Sequence, residues 1–204
     1  MTSPRATRRT LLAASATGLA LAPIDALAEE DPYEVRRYFF AQEGKAYNTG
    51  GAIIRVKAPM DQVAKEVTKF RRYNRVLPRI ETSKIVGRDG KKSADVYMRA
   101  PIFGGTMSIW FITRFVGPLP WKWGGVKIVG SLMKSNVESF DGVWKLHPCG
   151  DDESETVLRL ELNMVPKVPV PTGLLERSFR WAAEKGCVAM RDLAEKGRST
   201  VTDD

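Results

Sequence analysis

The stretch GAIIRVKAPMDQV (Gly51–Val63) decides the fold, because a strand pattern changes into a helix pattern within it. Positions 52, 54 and 56 are apolar and alternate with residues of the other face, which is the spacing of a strand buried on one side. Ala58–Asp61 then places a proline where the first turn of a helix accepts one. Val63, Val67 and Phe70 are spaced for one apolar helix face. The sequence therefore predicts a strand that leads directly into a helix.

A second short helix and its exit are predicted in FRRYNRVLPRI (Phe70–Ile80). Pro78 ends this helical region, since the residue before a proline avoids the helical conformation. We expect the aromatic and aliphatic side chains of the stretch to face the core. Its four arginines are expected to face outward, where either water or an anionic membrane surface suits them.

The rest of the chain predicts an antiparallel meander followed by one long helix. Asp89-Gly90 is a hairpin signal between strands at 84–88 and 94–99, and further strand-like segments cover 106–116, 126–129, 135–146 and 156–165. Every second residue from Leu158 to Met164 is apolar, which indicates a sheet with one wet face. A final helix is predicted from about Gly173 to Lys196, since Gly197 stops it.

The first 28 residues have the layout of an export signal, with a charged head, a short apolar run and the cleavage pattern Ala26-Leu27-Ala28. Thr7–Leu12 (TRRTLL) resembles the twin-arginine motif, which implies a bacterial protein that reaches the periplasm already folded. Whether the signal is cleaved or kept as an anchor stays open. The predicted division is a signal peptide at 1–28, an extension or the start of the first strand at 29–50, one domain at 51–197 and a tail at 198–204.

Charge and residue usage narrow the function classes. The formal net charge is +8, with basic residues spread along the chain, which favours contact with anionic membranes or no specific partner. Export argues against nucleic acid. His147 is the only histidine, which removes the usual triads and most zinc sites, and its place at a strand end predicts a surface position. Pairing of Cys149 with Cys187 is left open.

Four short motifs carry a resemblance to a known family: Val56–Val63 at the start of the first helix, Phe70–Pro78, Gly142–Leu146 (GVWKL) and Val168–Pro171 before the last helix. Their order resembles the helix-grip fold of the START-like superfamily, which includes polyketide cyclases, coenzyme Q-binding proteins and lipid-transfer domains. The resemblance implies an α+β fold in which a curved antiparallel β-sheet wraps around a long C-terminal helix, with two short helices after the first strand. Lys69 departs from the family pattern, which often has an acid there.

The resemblance also implies a ligand cavity between the sheet and the last helix. Strand alternation and a stripe of small residues on that helix predict its lining. The candidate ligand-binding residues are Met98, Met107, Ile109, Phe111, Phe140, Trp144, Leu160, Leu162, Met164, Phe179, Ala182, Gly186 and Ala189. The alternative is that these side chains fill a solid core. In the loop GPLPWKWGG (Gly117–Gly125), Trp121, Lys122 and Trp123 suit a membrane contact or a lid over the cavity mouth, or else fold back under the loop.

These features favour an exported monomer that binds or transfers a hydrophobic ligand, such as a lipid, a sterol-like molecule or a quinone. No catalytic residue, metal or cofactor is expected. A polyketide cyclase or dehydratase using the same cavity is the alternative, although the sequence has no obvious acid/base pair for it. An interaction module for a periplasmic partner is a third hypothesis, which would need a large exposed apolar patch.

Overall fold

The computed structural model describes residues 31, 33–45, 47–102, 105–149 and 152–199, and it describes only the backbone of residues 152, 198 and 199. The predicted signal at 1–28 lies outside these residues. The elements are β1 (Arg36–Phe40), β2 (Thr49–Val56), α1 (Met60–Val67), a single 3₁₀ turn (Phe70–Arg72), α2 (Tyr73–Val76), β3 (Thr82–Gly87), β4 (Ser93–Ile102), β5 (Met107–Pro120), β6 (Val126–Ser135), β7 (Val137–Cys149), β8 (Asp152–Pro166) and α3 (Thr172–Ser199).

The strands form one eight-stranded antiparallel sheet in the order β1-β2-β8-β7-β6-β5-β4-β3. Helix α3 packs on its inner face, mainly against β2 and β8. The predicted α+β helix-grip architecture is confirmed. No helix in the described part of the chain is both long enough and apolar enough to cross a membrane.

Strand β1 was not resolved by the sequence pattern, so the two short helices follow the second strand of the sheet and not the first. β1 pairs with β2 at the sheet edge. Its Tyr38 ring lies on Gly51, where a Cβ atom would come within 2.5 Å of the ring. Phe39 and Phe40 stay exposed. Because two of its three aromatic residues are exposed, β1 lacks the alternation that marks a half-buried strand.

The stretch after β2 folds as its apolar spacing predicts. Val63 and Val67 of α1 are fully buried, and Phe70 stacks on Phe115 with ring centroids 4.5 Å apart. The Tyr73 hydroxyl donates a hydrogen bond to the carbonyl oxygen of Val67 at 2.8 Å, which ties α2 to the end of α1. The four arginines of Phe70–Ile80 are exposed, as expected.

The buried face of α3 is centred one residue beyond the predicted one. Ala183, Cys187, Met190 and Ala194 are almost fully buried, whereas Ala182 and Ala189 lie at the edges of this face. The Cys187 thiol donates to the carbonyl oxygen of Ala52 at 3.6 Å, and both cysteines are free, so no disulfide links them. The helix also continues to Ser199, which removes the first two residues of the predicted tail.

Candidate ligand-binding cavity

A cavity of about 730 Å³ lies between α3 and the inner faces of β4, β5, β7 and β8. Its buried lining residues form the floor: Tyr73, Met98, Ala100, Phe111, Phe115, Gly142, Trp144, Leu160, Asn163, Leu175 and Phe179. Its solvent-exposed lining residues mark the mouth: Pro78, Arg79, Glu81, Gly105 and Leu174. The site is therefore a pocket with a largely apolar buried part and a solvent-exposed mouth.

Aromatic rings give the floor a fixed shape. Phe111 and Phe140 stack with centroids 4.6 Å apart, and Tyr73 meets Phe115 edge to face at 6.2 Å. Burial raises the pKa of Tyr73, and its hydroxyl is already engaged with a backbone carbonyl. The phenol therefore stays neutral. The floor can accommodate apolar groups of a ligand, but it has no charged side chain that could pair with an ionised group.

Most of the predicted ligand-binding residues line this cavity: Met98, Ile109, Phe111, Phe140, Trp144, Leu160, Leu162, Met164, Phe179 and Ala182. For the residues on strands, alternation predicted the inner face of the sheet, which α3 covers. The inner face of the sheet therefore forms the wall of a cavity, and its side chains do not fill the core completely. Ligand binding by these side chains stays a prediction.

Three predicted residues do not line the cavity. Met107 has the inward parity of β5 but begins the strand, where it is 45% exposed. A Cβ atom at Gly186 would lie 2.8 Å from Cδ2 of Leu160, so this glycine allows close packing of the helix and leaves no space. Ala189 faces a separate groove between α3 and the segment 74–81.

The sequence reasoning missed the wall contributed by the segment Leu77–Glu81, which connects α2 to β3. This segment is irregular, so no periodicity marks its inward side chains. Ala100 and Phe115 were also missed, although each continues the alternation of a residue that was chosen, Met98 on β4 and Phe111 on β5. Extending the alternation along the full strands would have found both.

Two charged side chains, Arg79 and Glu81, are part of the cavity lining, and both lie at the mouth. Glu81 accepts a hydrogen bond from the guanidinium of Arg99 at 2.9 Å. The Arg79 guanidinium lies over the ring of Trp181, 4.6 Å from its centroid. Arg79 also has a φ of 67°, a left-handed backbone conformation that non-glycine residues seldom adopt.

The tryptophan loop, Trp121–Trp123, does not cover the cavity mouth. It follows the end of β5, whereas Gly105 of the cavity mouth precedes this 14-residue strand, so the loop and the mouth lie at opposite ends of β5. Trp121 folds back onto His147, with centroids 4.4 Å apart, while Trp123 is 67% exposed. The structure therefore does not support a lid role, and membrane contact by this loop stays a prediction.

The expectation of a surface position for His147 is wrong, since only 3% of the residue is exposed. Trp121 and Trp123 cover it from a loop that is distant in sequence. Burial, followed by the positive charges of Arg159 and Lys145, lowers the pKa of His147 below 6.5. Side chains alternate between the two faces along β7, and Trp144 of this strand lines the cavity. His147, three residues further on, therefore lies on the opposite face of the sheet, as does Lys145.

We expect the free energy of unfolding to fall as the pH drops below 6.5, because the unfolded chain then binds a proton that folded His147 does not. His147→Phe keeps a ring beneath Trp121 and removes this proton. Urea denaturation at a series of pH values should show a smaller loss of stability in the variant just below pH 6.5. The same pH dependence in both proteins would contradict a buried neutral histidine.

The profile of the family described as "Polyketide cyclase / dehydrase and lipid transport" matches residues 56–191, from the end of β2 through most of α3. The chain belongs to this family. No curated protein sequence matches the chain closely enough to add to this assignment.

Solved structures similar to this member of the polyketide cyclase/dehydrase and lipid transport family share its fold at low sequence identity. A STAR-related lipid transfer protein from Xanthomonas axonopodis is 15% identical, with a TM-score of 0.67 over 81% of this chain and 96% of that chain. A START superfamily protein from Mycobacterium smegmatis is 19% identical, with a TM-score of 0.56 over 76% and 99%. Human STARD10 is 12% identical, with a TM-score of 0.64 over 81% and 71%.

Proposed function

We propose that this protein binds a hydrophobic small molecule in the cavity beneath α3 and carries it between membranes or proteins. The observation that supports this most is the largely apolar floor of the cavity, where the Tyr73 hydroxyl is engaged with the backbone. Membership of a family described by lipid transport points the same way. Suitable ligands are a lipid, a sterol-like molecule or a quinone.

The size of the cavity limits the enclosed part of the ligand. A volume of about 730 Å³ lies within the range of about 300–1,000 Å³ that is typical of pockets for small molecules. A single hydrocarbon chain or a fused-ring molecule fits this space.

Loading from a membrane would occur at the mouth. Leu174 is 49% exposed there, and Val168 and Met107 are exposed on the adjoining segments. Apolar side chains around an opening can enter a lipid surface, and the positive net charge of the chain favours anionic lipid. Transient membrane contact by a monomer is therefore part of the proposal.

We also propose that the protein is exported to the bacterial periplasm by the signal at 1–28. The support is the sequence pattern alone, with a twin-arginine motif at Thr7–Leu12. Cell fractionation should find the protein in the periplasm, and replacing Arg8 and Arg9 by lysine should retain it in the cytoplasm. Unchanged export of that double variant would argue for the general secretory route.

An enzymatic role as a cyclase or dehydratase has less support from the cavity. A buried acid/base pair facing the ligand would favour it. Arg79 and Glu81 line the cavity but are exposed, and Glu81 is paired with Arg99. His147 lies on the other face of the sheet, as its packing beneath the tryptophan loop indicates.

Native mass spectrometry of the protein taken from its own periplasm tests the carrier function. We expect an added mass that corresponds to one hydrophobic molecule per chain, and organic extraction should release it for identification. Protein that carries nothing should then take up a lipid from vesicles in a stoichiometric amount. Neither a bound molecule nor uptake would contradict the proposal.

A further inference from the structure

The charge at the cavity mouth is unbalanced. Arg79 and Glu81 are the charged members of the lining. Glu81 forms an ion pair with Arg99, with 2.9 Å between Oε2 and Nη2. Among the described residues, no ion pair is found for Arg79. The mouth therefore presents one cation whose charge is not matched by a neighbouring carboxylate.

The position of this cation is set by its surroundings. The left-handed φ of 67° at Arg79 costs free energy, and such conformations persist where the neighbouring structure fixes them. Pro78 restrains the backbone just before it. The guanidinium lies 4.6 Å from the centroid of Trp181, which also lines the cavity, so a cation–π contact holds it beside the opening.

The floor excludes charge from the opposite end. Its lining is aliphatic and aromatic apart from the neutral amide Asn163, which donates to the carbonyl oxygen of Tyr47, and the Tyr73 hydroxyl already donates to Val67. Burying an ionised group there without a partner would be strongly unfavourable. An amphiphile in the cavity would therefore place its apolar part on the floor and its polar head at the mouth, beside Arg79 and the half-buried Ser178.

We propose that the cavity selects amphiphiles with one anionic head group, a carboxylate or a phosphate, which pairs with Arg79. This inference rests on the proposed function and names the chemical class of its ligand. A planar guanidinium forms bidentate hydrogen bonds with either head group, which favours both over a neutral hydroxyl. An ammonium head is disfavoured, because Arg79 repels it and Glu81 is occupied by Arg99.

The test compares ligands that share one saturated chain, namely hexadecanoic acid, hexadecyl phosphate, hexadecanol and hexadecylamine. Each displaces a fluorescent hydrophobic probe from the whole protein at low salt and at a pH where the acid is ionised. In the wild type we expect the two anions to bind roughly tenfold more tightly than the alcohol, as expected for one charge-assisted pair. The amine should bind more weakly than the alcohol.

Variants separate a specific pair from general positive charge. Arg79→Gln should bring the affinity for the anions down to that for the alcohol and leave the alcohol unchanged. Arg79→Lys should keep a preference for anions. Arg75→Gln removes an equal charge from a residue that lines the neighbouring groove but not the cavity, so it should behave like the wild type.

Equal binding of acid and alcohol by the wild type would overturn the inference while the proposed function stands. A full preference for anions in Arg79→Gln would overturn it as well. If the phosphate alone is preferred, the head group is a phosphate, and if both anions are preferred, the pairing is general for anions. If the hydrophobic probe binds but none of the four ligands displaces it, the inference is overturned, whereas a protein that binds neither the probe nor any of the four ligands would count against the proposed function itself.

Discussion

Replacing Ala182 by tryptophan is expected to weaken binding of a hydrophobic ligand about 100-fold while the protein stays folded. Ala182 is a half-buried cavity-lining residue of α3, so a larger side chain has open volume to enter. Tryptophan adds about nine non-hydrogen atoms, and at about 0.3 kcal/mol for each displaced ligand atom the loss is about 2.7 kcal/mol. Probe titration measures the affinity, and thermal unfolding checks the fold.

Arg177→Trp is the matched control for this substitution. Arg177 is an exposed residue of the same helix and is not part of the cavity lining. The Arg177→Trp variant has the same new side chain, but this side chain lies outside the cavity. Its affinity for the hydrophobic ligand should therefore equal that of the wild type. Undiminished binding by Ala182→Trp, with a folded protein, would place the ligand elsewhere.

Replacing Gly50 by alanine is expected to destabilise the protein by about 3 kcal/mol, the upper part of the range for overpacking a core. A Cβ atom at Gly50 would lie 2.6 Å from Cβ of Phe179 and 2.8 Å from the backbone nitrogen of Arg180. Backbone atoms cannot rotate away, so α3 must move off the sheet. The free energy of unfolding in urea measures the loss.

Gly173→Ala is the control for this substitution, because it should not lower the free energy of unfolding in the same assay. Nothing lies within 4 Å of a Cβ atom at Gly173, in the first turn of α3. Alanine there should be neutral or stabilising by up to about 1 kcal/mol, since glycine is a poor helix former. Equal stability of Gly50→Ala and the wild type would mean that the helix and strand are not in tight contact at that point.

The sequence predicts features that depend on local periodicity. The inner face of β8 follows from its alternation, because burial on one side leaves that trace in the chain. The contact of Phe70 and Tyr73 with the core follows from helical spacing in the same way. The order of the elements was sufficient to indicate the fold class.

The sequence does not predict features that depend on distant segments. A small residue on a helix can either leave a cavity or allow a neighbouring strand to pack closely. Gly186 allows close packing, because the Leu160 side chain occupies the space beside it. His147 is buried because a loop more than one strand away covers it. The mouth was missed because Leu77–Glu81 is irregular, and irregular segments have no period from which their inward side can be deduced.

The pairing of β2 with β8 determines when the binding site can exist during synthesis. Ile54 lies opposite Leu158, so the centre of the sheet joins residues from the two halves of the chain. Such distant pairings form slowly, since a long loop must close first. Helix α3, one wall of the cavity, is made after every strand. The pocket therefore cannot be complete until α3 has been synthesised, and no ligand can be enclosed before that point.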